Sequence, residues 1–550
     1  MDSNRLSRSI ANGFLHAWIV LFAACGAAGA AVPQTPVRGG TLVAVVQPEP
    51  GVLTSAINVG QPVATVSNKI FDGLLRLGDG FKLEPELAQS WTVSPDGKSI
   101  TFNLRRGVKW HDGQPFTSAD VRYSIESVWR VQHPRLRAAL ANVRSVETPD
   151  PATVILRLDR PSPVILLALN RGEAQVLPRH LYEGTDLLRN PHNVRPIGTG
   201  PFRFKEWVRG ERIVLERNPD YWEAGKPYLD GVVFRVIPDA ATRAAALERG
   251  DVLYGNASPI GPVDLARFEK LPGIHVETRG YEYWGTSLML EFNLRNPQLQ
   301  DVRVRRAIAY AIDRPALVRV VYRGFGKASI SPIPSTLGQF HTSDVERYEP
   351  DLQAAARLLD EAGLKPGADG VRLKLRIDWL PFGDTVLRTA EYLRQSLKRV
   401  GIDLEIRNQD LARFYQRVYT ERDFDLSIVS MSSLGDPQIG VERLYWSKTI
   451  LPGVPFSNGS GYSSPAMDGL IQAAHEEADP ARRAEYYRKF QRLALTDLPA
   501  LPLLEIRFST VYADRVHGLS LAPDGGVESF KNVWLGAAAG QVSSQQAALP

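Results

Sequence analysis

Hydrophobic and polar positions along the chain follow strand and helix periodicities in turn, which predicts a mixed α/β protein. The apolar run 39–46 predicts a first strand that is buried on both faces. Residues 91–93 and 100–104 alternate with a period of two. Between them, Ser94-Pro95-Asp96-Gly97 suits a type I turn, because proline fixes φ and glycine supplies a positive φ. This stretch therefore predicts a β-hairpin.

Three helices are predicted from their start signals. Ser464-Pro465 and Asp479-Pro480 each place a capping side chain before a proline at the first helical position. The Pro-rich stretch 498–502 ends the last of these helices and leads into an apolar strand at 501–506. Asp301 can cap a further helix, whose apolar positions recur at three- and four-residue spacing: Val304, Ala307, Ile308, Ala311 and Ile312.

The first residues have the pattern of a secretory signal peptide, which we place at 1–30. A short basic stretch precedes an apolar run at about 14–24, which is too short to span a bilayer as a finished helix. Small residues follow, and we favour cleavage after Ala30, with lipidation at Cys25 as the alternative. The expected location is therefore the periplasm, with either soluble release or a lipid anchor. At the other end, residues 541–550 are expected to be a disordered tail.

Length and composition narrow the class of protein. A chain of 550 residues exceeds one hydrophobic core, so about two or three domains are expected. Hydrophobic residues make up 44% and charged residues 23%, which excludes a mainly disordered chain, and a mean hydropathy of -0.18 excludes a polytopic membrane protein. The net charge of +5 is small and the arginines are scattered, which argues against nucleic acid as a partner. A single cysteine excludes a disulfide framework and a Cys-based zinc site.

No set of catalytic residues is evident, and the chain is expected not to be an enzyme. The sequence has no Gly-x-Ser-x-Gly elbow and no Walker A loop, and His475-Glu476-Glu477 lacks the second histidine of a zincin. The nine histidines share no ligand spacing, so neither a metal site nor a cofactor is predicted. The ten Trp and 18 Tyr instead favour a concave binding pocket lined by aromatic rings.

Several ordered blocks resemble the extracellular solute-binding proteins of family 5, the periplasmic receptors of ABC importers for dipeptides, oligopeptides, nickel and opines. The most specific block runs from Leu87 through the hairpin to Val121 and includes Gly107-Val108-Lys109-Trp110-His111-Asp112-Gly113. Further blocks follow in family order: Gly198-Thr199-Gly200-Pro201-Phe202, Asn218-Pro219-Asp220-Tyr221-Trp222, Asp301-Val302-Arg303-Val304-Arg305-Arg306-Ala307, Leu358-Leu359-Asp360-Glu361-Ala362-Gly363 and Gly461-Tyr462-Ser463-Ser464-Pro465.

The resemblance implies a type II periplasmic-binding-protein fold, with two α/β lobes joined by a hinge and an inserted α/β domain. Lobe I is expected at 38–72, 196–285 and 505–540. The inserted domain II, which holds the hairpin, is expected at 73–195, and lobe III at 286–504.

The resemblance also implies a function. We expect a periplasmic receptor, monomeric and non-catalytic, that captures a small solute between its lobes and delivers it to the permease subunits of an ABC importer. Peptide transport, with an oligopeptide, an opine or a similar solute, is the expectation. Two alternatives stay open: an exported hydrolase, and a ligand-sensing or chaperone module on the same fold.

The pattern of the dipeptide-binding relatives implies two charged anchors for the ligand, an Asp shortly before a Gly-Asp-Pro run and an Arg before a helix of lobe III. Here the run is Gly435-Asp436-Pro437, and the acidic position falls at Ser433, while the basic position falls near Trp379 or Leu380. Both charges are missing at these positions.

We therefore expect a less charged or larger ligand, such as a longer peptide with solvated ends, an opine or a sugar-amine conjugate. Micromolar binding of di-alanine would refute this hypothesis. Alternatively, Asp436 or Arg376 supplies the missing charge after a small shift in register. The candidate ligand-binding residues are Tyr283, Trp284, Arg376, Trp379, Phe382, Met431, Ser432, Ser433 and Asp436.

Overall fold

The structure is a computed structural model that describes residues 35–133 and 135–537. The signal peptide expected at 1–30, including Cys25, and the tail expected at 541–550 lie outside the described residues. Among the described residues, those from Val37 onward form one compact unit.

The strands, in chain order, are β1 (Thr41–Val46), β2 (Leu75–Leu77), β3 (Leu83–Pro85), β4 (Ala88–Val93), β5 (Ser99–Leu104), β6 (Val143–Asp150), β7 (Thr153–Leu158), β8 (Phe202–Val208), β9 (Arg212–Arg217), β10 (Gly231–Val236), β11 (Tyr254–Gly255), β12 (Ile274–Glu277), β13 (Thr286–Phe292), β14 (Gly326–Ala328), β15 (Leu373–Trp379), β16 (Ile402–Arg407), β17 (Leu426–Ser432), β18 (Ala500–Ile506), β19 (Thr510–Ala513), β20 (Val516–His517) and β21 (Trp534–Leu535).

The α-helices, in the same order, are α1 (Gln61–Ser67), α2 (Ser118–Tyr123), α3 (Leu136–Ala139), α4 (Ile165–Ala168), α5 (Arg179–Tyr182), α6 (Ala240–Arg249), α7 (Pro262–Phe268), α8 (Pro297–Gln300), α9 (Val302–Ala311), α10 (Arg314–Val320), α11 (Leu352–Glu361), α12 (Asp384–Lys398), α13 (Leu411–Tyr415), α14 (Pro465–Glu476) and α15 (Pro480–Asp497).

Three main sheets organise the chain. The first has seven strands in the order β12-β19-β11-β1-β10-β9-β8, and in it β1 lies parallel to β10 and β11. The second has four antiparallel strands in the order β4-β5-β7-β6. The third has six strands in the order β14-β18-β13-β17-β15-β16.

Each sheet draws its strands from one of the three sets of segments expected for lobe I, domain II and lobe III. The one overrun is β18, which continues to Ile506, past the boundary expected at 504. The domain boundaries themselves remain predictions. The names lobe I, domain II and lobe III are kept below for the three sets of segments.

Two connections lead between the lobe I and lobe III sheets. Residues 278–285 join β12 to β13, and residues 507–509 join β18 to β19. Because β13 and β18 are neighbours in the lobe III sheet, the two connections run side by side. The resemblance implies a hinge near 280–292 and 500–510, and the two connections overlap these ranges.

The local predictions are confirmed where the turn and cap signals were explicit. β4 and β5 pair antiparallel with Val93 opposite Ile100, and Gly97 has a φ of 67°. Asp301 caps α9 by accepting from the N–H of Arg303, and Ser464 and Asp479 cap α14 and α15. The first strand begins two residues later than predicted, because Gly39 and Gly40 have positive φ values that do not continue a strand.

Candidate functional site: a cavity between the lobes

A cavity of about 350 Å³ lies where the three sets of segments meet. Lobe I contributes Val59, Gln61, Ala64, Ala257, Asp524 and Val527, and domain II contributes Arg135, Gly172 and Glu173. Lobe III contributes Phe382, Ser430, Met431, Ser432, Leu434, Arg443 and Phe456. The two connections contribute Tyr283, Trp284 and Phe508, and the first residue of β13 contributes Thr286. The volume falls near the lower end of the range of about 300–1,000 Å³ that is usual for small-molecule sites.

Aromatic rings from the two connections form one wall of the cavity. Trp284 stands edge-on to Phe508 with ring centroids 5.2 Å apart, and Tyr281 packs against both rings. The backbone holds this wall in place, because the N–H of Tyr283 donates to Pro523 at 2.9 Å and the carbonyl of Trp284 accepts from Ser433 at 2.8 Å. The rings offer an apolar surface between the two lobes.

The carboxyl end of β17 forms a polar edge of the cavity. Ser430, Met431 and Ser432 line it, and the Ser432 hydroxyl lies 2.8 Å from the hydroxyl of Thr286 on the neighbouring strand β13. Thr286 and Ser432 are directly opposite each other in the register of the two strands. The antiparallel pairing thus places two hydroxyl groups side by side at the cavity.

The structure brings five of the nine predicted site residues to the cavity: Tyr283, Trp284, Phe382, Met431 and Ser432. Ser433 is not among the lining residues: it is 1% exposed, and its N–H is used by the carbonyl of Trp284. Trp379 is partly buried against the lobe III core, and its ring N–H points to Asn408 at 3.4 Å.

The two charged candidates, Asp436 and Arg376, also lie outside the cavity lining, and both have ion-pair partners. Asp436 is paired with Arg483 at 2.6 Å, and both side chains are 5% exposed. Arg376 is paired with Asp423 at 2.8 Å and Asp425 at 3.1 Å. A small shift in register therefore does not bring either charge to the cavity, which corrects that alternative.

Four charged side chains that the sequence did not single out line the cavity: Arg135, Glu173, Arg443 and Asp524. They come from positions far apart in the chain and belong to no local motif. No spacing signal could have grouped them, because only the folded chain brings domain II, lobe I and lobe III together. The absence of charge that motivated the expectation of a weakly charged ligand therefore does not hold for the cavity as it is built.

Arg135 and Glu173 form a bidentate pair at the cavity wall, with Nε–Oε2 and Nη2–Oε1 distances of 2.6 and 2.7 Å. Burial alone would raise the pKa of Glu173, but the Arg135 guanidinium holds this pKa below its ordinary value. The buried His133 behind the pair has its pKa lowered to about 4 by burial. The pair is thus charged at neutral pH, and His133 is neutral.

Arg443 and Asp524 are exceptions to this pairing. Burial and the neighbouring Arg135 lower the pKa of Arg443 to about 10, so its guanidinium is still charged at neutral pH. Burial raises the pKa of Asp524, and the nearby Arg171 opposes that rise. The two groups present a guanidinium from lobe III and a carboxyl group from lobe I.

The described lining residues contain no histidine and no cysteine. The Ser432 hydroxyl faces another hydroxyl rather than a base, and the Glu173 carboxylate is occupied by Arg135. Within residues 35–133 and 135–537, no group of three or more potential metal ligands was found, and no helix there is long and apolar enough to cross a membrane.

Comparison with known proteins places these features in context. Residues 82–450 match the family "Bacterial extracellular solute-binding proteins, family 5 Middle". Protein XP55 of Streptomyces lividans is 31% identical over 92% of this chain and 92% of its own length. The dipeptide-binding protein of Escherichia coli K12 is 29% identical over 82% of this chain and 85% of its own length.

A solved structure is similar over most of the fold. The periplasmic binding protein DppA from Helicobacter pylori, in complex with the peptide STSA, covers 91% of this chain and 98% of its own length. Its TM-score is 0.76 at 26% sequence identity. The predicted fold, that of the type II periplasmic binding proteins, is thereby confirmed.

Proposed function

The chain belongs to the bacterial extracellular solute-binding proteins of family 5, whose members are substrate-binding receptors, and from this premise we propose that it captures a peptide or peptide-like solute for an ABC importer. The solute is held between lobe I and lobe III and is then delivered to the permease. The observation that carries the proposal is a single cavity lined from both lobes by aromatic rings and charged groups.

The physical reason for a binding role is differential contact. A ligand shifts a protein toward a closed form only if it interacts better with that form. A solute in this cavity would touch Asp524 on lobe I and Arg443 on lobe III, so closing the lobes would increase its contacts. Closure around the two connections is the hinge motion typical of such receptors.

The relatives support a peptide-like solute. One similar protein is a dipeptide-binding protein, and one similar solved structure is that of a DppA in complex with the peptide STSA. A cavity of about 350 Å³ suits a short peptide or a molecule of that size. The family's members bind solutes rather than convert them, and we extend that absence of chemistry to this chain.

Isothermal titration with di- and tripeptides, an opine and glutathione tests the proposal. We expect saturable one-to-one binding of at least one solute and recovery of that solute unchanged after the protein is denatured. Release of a cleaved product would support the exported-hydrolase alternative instead. Failure of every solute class to bind would contradict the proposal.

The processing of the amino terminus is a separate part of the proposal. We propose soluble release in the periplasm after cleavage behind Ala30, with a lipid anchor at Cys25 as the competing outcome. The intact mass of the mature protein distinguishes them. A chain that begins at Ala31 supports release, whereas a chain that begins at a diacylated Cys25 contradicts it.

A further inference from the structure

Arg443 presents a guanidinium with free donors to the cavity. It lies in the 3-10 turn Val441–Leu444, and its Nε donates to the carbonyl of Gly440 at 3.1 Å. Its other N–H groups have no acceptor among the described residues. The adjacent Glu442 cannot serve, because it accepts from Tyr487 at 3.0 Å and lies 2.6 Å from His475.

The surroundings of Arg443 make this corner of the cavity attractive to an anion. Arg135 lies close enough to lower the pKa of Arg443. The two guanidinium groups differ, because that of Arg135 is occupied by Glu173 and that of Arg443 is not. Together the two arginines and Glu173 carry a net charge of +1, from two cations and one anion. A guanidinium with free donors binds a carboxylate in bidentate fashion, and a partly buried charge without a partner is costly.

Asp524 presents a carboxyl group to the cavity from lobe I. Its side chain lines the cavity, the residue is 7% exposed, and no side chain of the described residues donates to its carboxylate. The preceding residue, Pro523, accepts the N–H of Tyr283, which fixes the loop next to the aromatic wall. A carboxyl group that is nine-tenths buried, lines a cavity and has no side-chain donor among the described residues favours a cationic group of a ligand, which would stabilise its charged form.

We propose that the solute is a small zwitterion whose carboxylate binds Arg443 and whose protonated amine binds Asp524, with an apolar portion against Trp284 and Phe508. This inference rests on the proposed function and specifies its ligand. A short peptide and an opine share this chemistry. Since the two charged groups belong to different lobes, one such molecule would bridge them when they close.

The test compares ligands that differ by one charge. Dissociation constants are measured by calorimetry for Ala-Phe, its C-terminal amide, its N-acetyl derivative and octopine, at pH 7 and constant ionic strength. For the unaltered protein, we expect the amide and the N-acetyl derivative each to bind about 30-fold or more weakly than Ala-Phe, because each leaves one buried charge without a partner. Octopine replaces Ala-Phe as the reference if it binds more tightly.

The variants then assign each charge to its residue. R443Q should bind Ala-Phe about 30-fold or more weakly than the unaltered protein does, and should bind Ala-Phe and its C-terminal amide almost equally. D524N should likewise remove the difference between the free and the acetylated amine. R488Q and D220N are the matched controls, because both residues lie outside the cavity on the protein surface, and they should leave all ratios unchanged.

The outcomes are separable from those of the proposed function. If a solute binds but R443Q keeps the full preference for the acid, the assignment of Arg443 is overturned while the receptor function stands. Likewise, if D524N keeps the full preference for the free amine, the assignment of Asp524 is overturned while the receptor function stands. If D524N does not fold, the comparison of Ala-Phe with its N-acetyl derivative on the unaltered protein still tests the amine. Equal binding of the two peptides would overturn the need for a cationic group in the ligand.

Discussion

Asp436, in the loop that follows β17, forms a bidentate ion pair with Arg483 on α15, with Oδ2–Nη1 and Oδ1–Nη2 distances of 2.6 and 2.8 Å. Asp436 also accepts from the N–H of Gln438 at 2.9 Å. The pair joins the Gly435-Asp436-Pro437 turn to α15 and uses the whole carboxylate. The most conspicuous acidic residue of this segment is therefore a structural one.

Replacing Asp436 should cost stability and leave the cavity intact. In D436N the Arg483 guanidinium stays buried without a counter-charge, and breaking a buried ion pair in this way costs about 3–5 kcal/mol. Urea unfolding of D436N should show this loss, while the dissociation constant of a bound solute, measured where the variant is folded, should change less than about twofold. A large loss of affinity with unchanged stability would return Asp436 to the ligand site.

Phe382 should show the opposite behaviour. Its side chain is 55% exposed although it lines the cavity, so truncation removes little packing from the free protein. We expect F382A to keep its free energy of unfolding within about 0.5 kcal/mol and to bind the solute about tenfold or more weakly. L188A is the control, because Leu188 is 59% exposed and lies outside the cavity lining. Equal effects of both variants on affinity would contradict the role of Phe382.

Gly440 should tolerate no side chain. A Cβ there would lie 2.4 Å from the carbonyl oxygen of Ser432 and 2.4 Å from the Cα of Ser433, which is closer than real contacts allow. G440A should therefore displace the serine end of β17 and lower both stability and solute affinity. G469A is the matched control: a Cβ at Gly469, within α14, meets nothing within 4 Å, and alanine there should raise stability by up to about 1 kcal/mol. A neutral G440A would show that this edge of the cavity is adaptable.

Glu291 should make stability depend on pH. It lies on β13, is 1% exposed and accepts from the N–H of Ser460 at 2.7 Å, and burial raises its pKa to about 7. Between its ordinary pKa of 4.5 and about 7, the folded state binds the proton more tightly than the unfolded state. The free energy of unfolding therefore falls as pH rises through this window and stays lower above it.

The variant E291Q should remove this contribution. At pH 4.5 it should be as stable as the unaltered protein, and at pH 8 it should be more stable by up to about 3 kcal/mol, at roughly 1.4 kcal/mol for each pKa unit. Urea unfolding at the two pH values measures the difference, with E405Q on the exposed side of β16 as a control that should show none. A variant less stable than the unaltered protein at pH 8 would mean that the charged carboxylate is stabilising.

Local signals in the sequence were sufficient for the hairpin at β4–β5 and for the helices that begin after Asp301, Ser464 and Asp479. In each case a cap or turn residue acts on atoms only a few positions away, so the sequence contains the whole interaction. Tyr283 and Trp284 were named as aromatic candidates for the site, and both line the cavity.

The charged part of the site could not be predicted in the same way. Arg443 lies in a short 3-10 turn without periodicity, and Asp524 belongs to a loop close to the carboxyl end. Whether an arginine serves a ligand or the structure depends on its neighbours in space: Arg483 and Arg376 meet carboxylates, and Arg443 meets none among the described residues. This difference arises from tertiary packing, which no spacing along the chain encodes.

Closure of the lobes over a bound solute is the most direct test of the central claim. Nitroxide labels at L188C in domain II and K398C at the end of α12 in lobe III, with Cys25 replaced by serine, allow the distance between the two bodies to be measured by pulsed electron paramagnetic resonance. The account predicts a distance distribution that narrows and shifts when the solute is added at a concentration just sufficient to saturate the unaltered protein, and that responds much less in R443Q at the same concentration. A distribution unchanged by a solute that calorimetry shows to be bound would contradict it.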